Sequence, residues 1–486
     1  MGDESGKFAA QYKDLSVLDL KGSKLLVPLE DFEEGSLEIT KCLLMDSIIS
    51  LATGYHDIPA NEMEELLKLM ETEPENHRTA FPFGRKVSFE MAGFINSFLV
   101  RYPDWGDTMR LPAAKTGSGG HPNDAMAAVL TYLDIPGITG KKILEIIRLS
   151  YELWNIFHNH LLLRYNGWDA SSVMCLTVPV MTAVAHDASP ERTQNAMQVG
   201  ATLLGLLGCT RYAGSGGVRN MKNAACGCQI YKSLWAYRMS SLVQTTPATF
   251  TAPMGFYEDV APFEGEFKGI SDMEVYGPLE LKVWPMYNVA QAPVDCAVEL
   301  HEQVAGKLDR IAHITIKKTK KDIIKIAQKM ENRYPHSHAT ADHSPYWGVA
   351  MALKYGCVGL HHFEEKYYND PDIVRLLGIS DCEVFTEEET EAEGLGISVS
   401  ATRVIITMDD GTEYTSLYKQ HGGAFDGLSL AERTVPMRKI VDTKQKLIEE
   451  AFGYDLSGVA KIVYDMENQT GAALLDALHE ALKIKA

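Results

Sequence analysis

The chain has 486 residues, 45% hydrophobic and 23% charged, which is the composition of a globular protein and excludes a disordered or collagen-like one. Its 65 acidic and 46 basic residues give a formal net charge of −19. Such a surface repels phosphate backbones and anionic membranes, so we expect no nucleic-acid partner. An acidic substrate would need a local basic pocket. The length predicts about two to four domains.

No apolar stretch reaches the roughly 18 residues that a membrane span needs, and the first residues lack the features of a secretory signal. Eight scattered cysteines therefore predict reduced thiols in a cytoplasmic protein without a membrane partner. The closest pair, Cys226 and Cys228, has no second cluster nearby. That spacing fits no standard metal site, so we expect no metal.

Apolar residues recur every three to four positions through the N-terminal half, which predicts helices. The segments with this pattern are 36–54, 90–100, 124–133, 141–165, 193–207 and 226–239, and 173–185 reads as a buried helix. No strand-like alternation of comparable quality precedes about residue 300.

The pattern changes after residue 300. Strands are predicted at 310–317, 402–407 and 412–418, the last two joined in a hairpin by Asp409-Asp410-Gly411. Helices are predicted at 323–330, 345–355, 437–452, 456–464 and 471–484, and the acidic run 386–393 as a solvated loop. We therefore predict a mainly α protein with a smaller α+β domain at 271–428, inserted between helical segments 1–270 and 429–486.

The first candidate site combines Asp104, Asp107 and Thr108 with His121, which follows a glycine-rich loop and precedes an apolar helix. Asn123 or Asp124 is the predicted cap of that helix. The N-terminus of a helix favours a bound carboxylate. The alternative is a plain capped loop, but the neighbouring polar residues favour function.

Two further segments precede predicted helices. Asp169 is either a catalytic group or an ordinary N-cap, and the spacing alone favours the cap. Residues 213–223 join three glycines to Arg219 and Lys222, which share one face if the helix has begun. Arg219 could grip a carboxylate with two parallel bonds. A surface loop with solvated charges is an equally good interpretation of this segment.

The fourth group follows the predicted domain boundary and comprises Lys282, Tyr287, His336, His338, Asp342, His343 and Tyr346. Its histidine and aspartate spacing fits no standard zinc site. His336 and His338 are therefore predicted to be structural loop histidines.

In this order, the segments resemble those of the MmgE/PrpD family from about residue 28 to the C-terminus. The quoted pieces are Leu43-Leu-Met-Asp46 through Gly54, Asn96, Asp104-Trp-Gly-Asp-Thr108, Gly120-His-Pro-Asn-Asp124, Gly167-Trp168, Lys282-Val-Trp-Pro285 and Asp342-His-Ser344. The His-Pro-Asn-Asp piece, which resembles the family's "HPSD", is the most specific. The family includes 2-methylcitrate dehydratase, cis-aconitate decarboxylase and iminodisuccinate epimerase.

The resemblance implies a large all-helical domain formed from both chain ends and a smaller α+β lid. It also implies an enzyme without cofactor, commonly a homodimer, that acts on small di- or tricarboxylic acids at the domain junction. The chain departs from the family pattern at four positions. Asp169 replaces a histidine, Arg219 a lysine, Tyr287 a histidine or cysteine, and Trp347 (beside Tyr346) a tyrosine. Lys222 is a possible substitute for the lysine.

These residues support removal of a proton beside a carboxylate, with cations that stabilise the resulting carbanion. The predicted catalytic residues are His121, Asp104, Lys282, Asp169 and Tyr346; the predicted substrate-binding residues are Thr108, Arg219, Lys222, Tyr287 and His343. Dehydration is the preferred outcome, ahead of epimerisation of an amino- or imino-dicarboxylate, decarboxylation and carboxylate binding without turnover. A carboxylate at Asp169 suggests a substrate with a cationic or hydroxylated end.

Overall fold

A computed structural model describes residues 25–58, 60–61, 63–64, 78–80, 85–110, 120–163, 166–210, 218–245, 248–264, 269–319, 329–395 and 401–482. In chain order, the helices of these residues are α1 (Ser36–Asp57), α2 (Phe89–Arg101), α3 (Met126–Tyr132), α4 (Gly140–His160), α5 (Met174–Ala185), α6 (Pro190–Thr202), α7 (Met221–Met239), α8 (Phe256–Asp259), α9 (Asp272–Tyr276), α10 (Gln291–Val304), α11 (Met330–Arg333), α12 (His338–Ala341), α13 (Pro345–Tyr355), α14 (Pro371–Gly378), α15 (Glu387–Ala392), α16 (Leu430–Phe452), α17 (Ser457–Val463) and α18 (Gly471–Ala481). The strands are β1 (Arg78–Ala80), β2 (Arg85–Val87), β3 (Thr108–Met109), β4 (Leu279–Glu280), β5 (Ile311–Lys318), β6 (Ser380–Val384), β7 (Thr402–Met408) and β8 (Glu413–Tyr418).

Two main hydrophobic cores organise the molecule. The first takes its buried residues from positions 39–281 and 425–482 and also includes Leu360. The second takes them from positions 286–408. We call the parts around them the body (residues 25–281 and 425–482) and the lid (residues 286–418). The prediction of a mainly α fold is confirmed, while the predicted boundaries at residues 270 and 428 stay predictions.

The chain crosses between body and lid twice, and the two crossings run side by side. It leaves the body after Leu281 and returns to it at Phe425. The amide of Leu281 donates to the carbonyl oxygen of Gly423 at 3.0 Å, and Glu280 forms an antiparallel bridge with Ala424. The crossings are therefore tied to each other by backbone hydrogen bonds.

The lid is built around one four-stranded sheet in the order β6-β5-β7-β8. β5 and β6 are parallel, and the other neighbours are antiparallel, with Ile316 opposite Val404 and Val404 opposite Ser416. The buried face of the sheet joins α10 and α13 in the second core. The predicted strand at 310–317 and the predicted hairpin are both confirmed.

Local sequence explains where two long helices begin and end. The hydroxyl of Ser344 accepts from the amide of Trp347 at the start of α13, and Gly356 ends it with a φ of +72°, which glycine adopts without strain. The predicted helix 437–452 begins earlier, at Leu430. Ser429 and Glu432 form a capping box there, and the helix continues through Pro436.

The prediction of a loop at 386–393 is wrong, because residues 387–392 form α15. Thr386 and Glu389 make a capping box, and acidic residues in a first turn favour a helix. The short strand pairs β1–β2 and β3–β4 are also absent from the prediction, because their sequences lack the alternation of apolar and polar residues that indicates a strand. Residues 323–328 of a predicted helix lie outside the described residues. Within the described part of the chain, no helix has the length and apolar character needed to cross a membrane.

Candidate active site

Six buried polar side chains meet where the body and the lid join, and we call them the charged cluster: Arg101, Asp104, Lys222, Lys282, Asp342 and His343. Arg101 ends α2, and Lys222 is the second residue of α7. Lys282 lies on the first crossing, and His343 lies between α12 and α13. The cluster thus draws on helix ends and connecting segments of both halves of the molecule.

Asp104 stands at the centre of the body side of the cluster. Its Oδ1 accepts from Arg101 Nη1 at 2.7 Å and from Lys282 Nζ at 2.6 Å, and its backbone oxygen accepts from Lys282 Nζ at 2.8 Å. Its φ of +47° is in the left-handed region, which is strained for a residue with a side chain. The contacts with the two cations hold the carboxylate in this conformation.

Asp342 organises the lid side. Its Oδ2 accepts from Lys222 Nζ, and its Oδ1 accepts from His343 Nδ1. Nδ1 of His343 also lies 3.4 Å from Lys222 Nζ, but its contact with Asp342 is the shorter one. Because a carboxylate only accepts, the Asp342 contact favours the tautomer with the proton on Nδ1 and the lone pair on Nε2. Nε2 lies 3.7 Å from Asp104 Oδ2, so the imidazole spans the two carboxylates.

Tyr287 adds an aromatic wall to the cluster. Its ring stacks on His343 with the centroids 4.9 Å apart. Its hydroxyl is buried and has no hydrogen-bond partner among the described residues. Burial raises the pKa of Tyr287, so this hydroxyl keeps its proton.

The cluster gathers three buried cations inside an acidic protein. Burial favours a neutral Asp104, but Arg101, Lys282 and Lys222 outweigh burial and hold its pKa well below the ordinary value. Burial and Lys222 lower the pKa of His343 against the pull of Asp342, which leaves the imidazole neutral at pH 7. Three cations therefore face the two carboxylates of the cluster, and Arg101 Nε also lies 3.9 Å from Oδ1 of the buried Asp124, which balances the third cation.

Burial also lowers the pKa of Lys282 to about 8. The carboxylate of Asp104 raises this pKa, and the positive charges of Arg101 and Lys222 lower it further. The Lys282 ammonium is thus charged at neutral pH and lies close to its titration point. A group in this state can bind an anion and can also exchange a proton.

Asp104, Asp342 and His343 could offer three ligand atoms within 4.8 Å of one another to a metal ion. However, the ammonium of Lys222 bonds to Asp342 and lies 3.8 Å from Asp104. A cation of the protein itself therefore takes the position among these ligands. The donor set fits an anion site built on ammonium groups better than a metal site.

A cleft of about 1540 Å³ lies between body and lid, and its lining includes chain neighbours of the cluster residues but none of the six themselves. Trp105, Asn223 and Val283, each next to a cluster residue in the chain, line it. Arg219 also lines it, exposed and without an ion pair to another described residue. The buried Asn223 Oδ1 and His338 Nε2 lack partners among the described residues. The cleft therefore offers unused polar groups beside the cluster.

Two domain profiles match the chain. The profile of the MmgE/PrpD N-terminal domain matches residues 26–259, and that of the MmgE/PrpD C-terminal domain matches residues 284–426. The chain belongs to the MmgE/PrpD family. The family is generally enzymatic and of the dehydratase or lyase type, with decarboxylases and epimerases among its members. Comparison with curated proteins gives no match, so the assignment stops at the family.

Five of the residues predicted for an MmgE/PrpD site come together in this structure: Asp104, Lys222, Lys282, Tyr287 and His343. Arg219 and Lys222 do not share a face, because α7 begins only at Met221. Lys222 points into the cluster, while Arg219 stays at the cleft surface. Both predicted cations are thus near the site, in different settings.

His121 and Thr108 hold their own loop. His121 Nδ1 lies 3.0 Å from the carbonyl oxygen of Asp107, and Thr108 Oγ1 donates to Gly120 at 3.0 Å. The predicted cap by Asn123 or Asp124 is wrong. Asp107 accepts from the amide of Asn123 at 3.1 Å instead, and Asp124 accepts from Ser171 and Cys226.

Asp169 makes the N-cap bond that its spacing favoured, because its Oδ1 accepts from the amide of Ser171 at 2.9 Å. The hydroxyl of Tyr346 lies 3.5 Å from Arg333 Nη2, within the lid. It is the neighbouring Trp347 whose ring packs on Tyr368 of the cleft, with its buried Nε1 unpartnered among the described residues.

The sequence prediction missed Arg101, and it named Asp342 in the fourth candidate group without giving it a role. Arg101 precedes Asp104 by three positions at the end of a helix, which places the two side chains within reach of each other. Asp342 directly precedes His343, and such a carboxylate often fixes the tautomer of a functional histidine. Both signals were present in the sequence.

Proposed function

We propose that this protein is a cofactor-independent lyase that removes a proton beside the carboxylate of a small di- or tricarboxylic acid and then eliminates water. The observation that carries the proposal is the neutral imidazole of His343, held by Asp342 beside the ammonium groups of Lys222 and Lys282. Base and cations thus lie in one buried cluster, and chain neighbours of that cluster line the cleft.

His343 is the proposed base. Its Nε2 lone pair takes the proton from the carbon beside the substrate carboxylate, and the electron pair moves into that carboxylate. Asp342 stabilises the imidazolium that forms, through the bond to Nδ1. Asp104 is a poorer base, because three cations hold its pKa well below the ordinary value.

Lys222 and Lys282 are the proposed stabilisers of the intermediate. Proton removal adds negative charge to the carboxylate oxygens, and fixed cations in a buried site stabilise this charge more than they stabilise the substrate. Arg101 and Asp104 position Lys282. Arg219 binds a second carboxylate at the cleft surface.

Tyr287 is the proposed partner of the leaving hydroxyl. Its protonated, unpartnered hydroxyl donates a hydrogen bond to that oxygen while the carbon–oxygen bond breaks. The proton on His343 then completes the water molecule. Every proton taken from the substrate thus leaves in the product.

Epimerisation through the same carbanion is the second candidate. The observation that favours it is the pKa of Lys282 near 8, which supplies a second group able to return a proton. Return of a proton from a different face would invert the carbon without loss of water.

Proton exchange tests both candidates. The protein is incubated in deuterated water with hydroxylated and unhydroxylated di- and tricarboxylates, and deuterium at the carbon beside the carboxylate is followed by NMR. A lyase also produces an alkene, whereas an epimerase gives exchange with inversion. Absence of exchange across the panel would contradict the proposed chemistry.

Two matched variants identify the base. We expect His343→Gln to abolish exchange and His336→Gln, at an exposed position on the cleft, to leave it unchanged. His121→Gln tests the base that the sequence favoured. Exchange lost in His121→Gln and kept in His343→Gln would transfer the role to His121.

A further inference from the structure

The cleft is much larger than a small acid requires. Its volume of about 1540 Å³ exceeds the roughly 300–1,000 Å³ of typical pockets for drug-sized ligands. A carboxylate head bound beside the charged cluster would occupy one end and leave most of the space to water. The other residues that line the cleft therefore indicate which further groups the substrate has.

Those walls are largely apolar on both sides. Apolar side chains from lid and body line the space, among them Leu360, Phe363, Pro436, Ile440, Leu447 and Phe452. Leu447 is 45% exposed although it faces the cleft. Apolar surface of this kind gains free energy when a ligand covers it.

The charges along the same cleft do not favour an anionic end on the arm. Glu365 and Glu450 line it against the ammonium of Lys439, while Glu364 is paired with Lys366 at 2.7 Å and Lys444 with Asp46 at 2.6 Å. Arg219, which also lines the cleft without an ion pair to another described residue, lies only three residues before Lys222 of the charged cluster. Positive charge is thus concentrated beside the cluster, and the outer cleft is apolar with an acidic excess.

We propose that the substrate is a carboxylic acid with an uncharged alkyl or aryl arm, whose head lies at the charged cluster and whose arm lies along the apolar cleft. The position of the head rests on the proposed function. The arm rests on the volume, the lining and the charge of the cleft. A tricarboxylate would place an anionic group against Glu365 and Glu450, which is unfavourable.

A series of ligands with one head and a growing arm tests this assignment. Succinate, ethylsuccinate, butylsuccinate and hexylsuccinate are titrated into the full-length protein by calorimetry, with tricarballylate for comparison. We expect affinity to rise about three- to fourfold per methylene group, the gain typical of burying one. Affinity that is flat along the series, or tightest for tricarballylate, would overturn the proposal.

Matched variants separate the arm from the head. Leu447→Glu should cut the gain from succinate to hexylsuccinate at least tenfold and leave succinate binding unchanged. Leu242→Glu, at a position 88% exposed and not among the residues that line the cleft, should change neither. An equal gain in wild type and Leu447→Glu would overturn the assignment of the arm.

The same series keeps the two proposals distinguishable. Lys282→Met should weaken every member by the same factor, since it removes part of the head site only. A chain-length gain without any proton exchange would contradict the proposed reaction and support the arm. Proton exchange without a chain-length gain would do the reverse.

Discussion

Two buried ionic networks in this protein have opposite designs. In the body, Arg148 bonds to Asp272 at 2.6 Å and to Glu152 at 2.7 Å. The remaining carboxylate oxygens accept from the amides of Glu33 and Ile270. We call this set the Arg148 network. It has one cation, two carboxylates and a hydrogen bond on every carboxylate oxygen.

The charged cluster differs in its hydrogen bonding. It holds three cations against its two carboxylates and the adjacent Asp124, and Asp104 Oδ2 and the nearby Tyr287, Asn223 and His338 present buried atoms without partners among the described residues. A buried polar atom without a partner costs free energy. A satisfied network stabilises a fold, whereas a network that combines three cations with unused polar groups is suited to an anionic ligand.

The largest expected effect is on activity, from Lys282→Met. Loss of one fixed cation at the reacting carboxylate should lower the exchange rate about 10²- to 10³-fold, as for removal of an oxyanion donor. The protein should stay folded, because Asp104 keeps its bond to Arg101. Thermal unfolding by circular dichroism checks the fold, and a rate within threefold of wild type would refute the role of Lys282.

Arg148→Met should do the opposite. It leaves Glu152 and Asp272 buried without their cation, which typically costs about 3–5 kcal/mol of stability. Urea unfolding measures this cost, and the exchange rate per folded molecule should match wild type. A stability loss below 1 kcal/mol would show that the two networks do not differ as described.

The pH profile sharpens the contrast. The Lys282 ammonium is needed in its charged form and is lost as pH rises through about 8, so the exchange rate should fall above that pH. The pKa of His343 lies below its ordinary value, so the base should remain active below pH 6.5. In Lys282→Arg the alkaline fall should disappear, because a guanidinium keeps its proton. An unchanged alkaline fall in this variant would assign it to another group.

The smallest effect is expected from Asp169→Ser, outside both networks. Serine is also a good N-cap, so stability should change by about 0.5 kcal/mol or less. The exchange rate should stay within twofold of wild type. A tenfold lower rate would instead give Asp169 the catalytic role that the sequence left open.

Periodicity and capping residues predicted most of the body helices and the lid strands, because those signals are local. They could not decide between adjacent residues. Successive side chains of a helix point about 100° apart, so the residue at which the helix begins decides which side chains are buried. Because α7 begins at Met221, Lys222 is buried and Arg219 lies at the surface. The same uncertainty placed Tyr346 in the site, whereas Trp347 packs toward the cleft.

The site could be predicted from the sequence only in part, for a different reason. Asp104, Lys282 and His343 meet across more than two hundred positions of sequence, and only the packing of lid on body brings them together. His121 drew attention as part of a short motif, yet its described bond is to the loop of Asp107. A homodimer and a cytoplasmic location stay predictions of the sequence.

The paired crossings between body and lid have a mechanical consequence. Since they run side by side and are bonded to each other, we expect any opening of the lid to turn about a line close to Leu281 and Gly423. Lys282 is the next residue after Leu281, so its ammonium lies near the pivot and moves least. Entry of a bulky ligand can thus proceed without breaking the contact between Lys282 and Asp104.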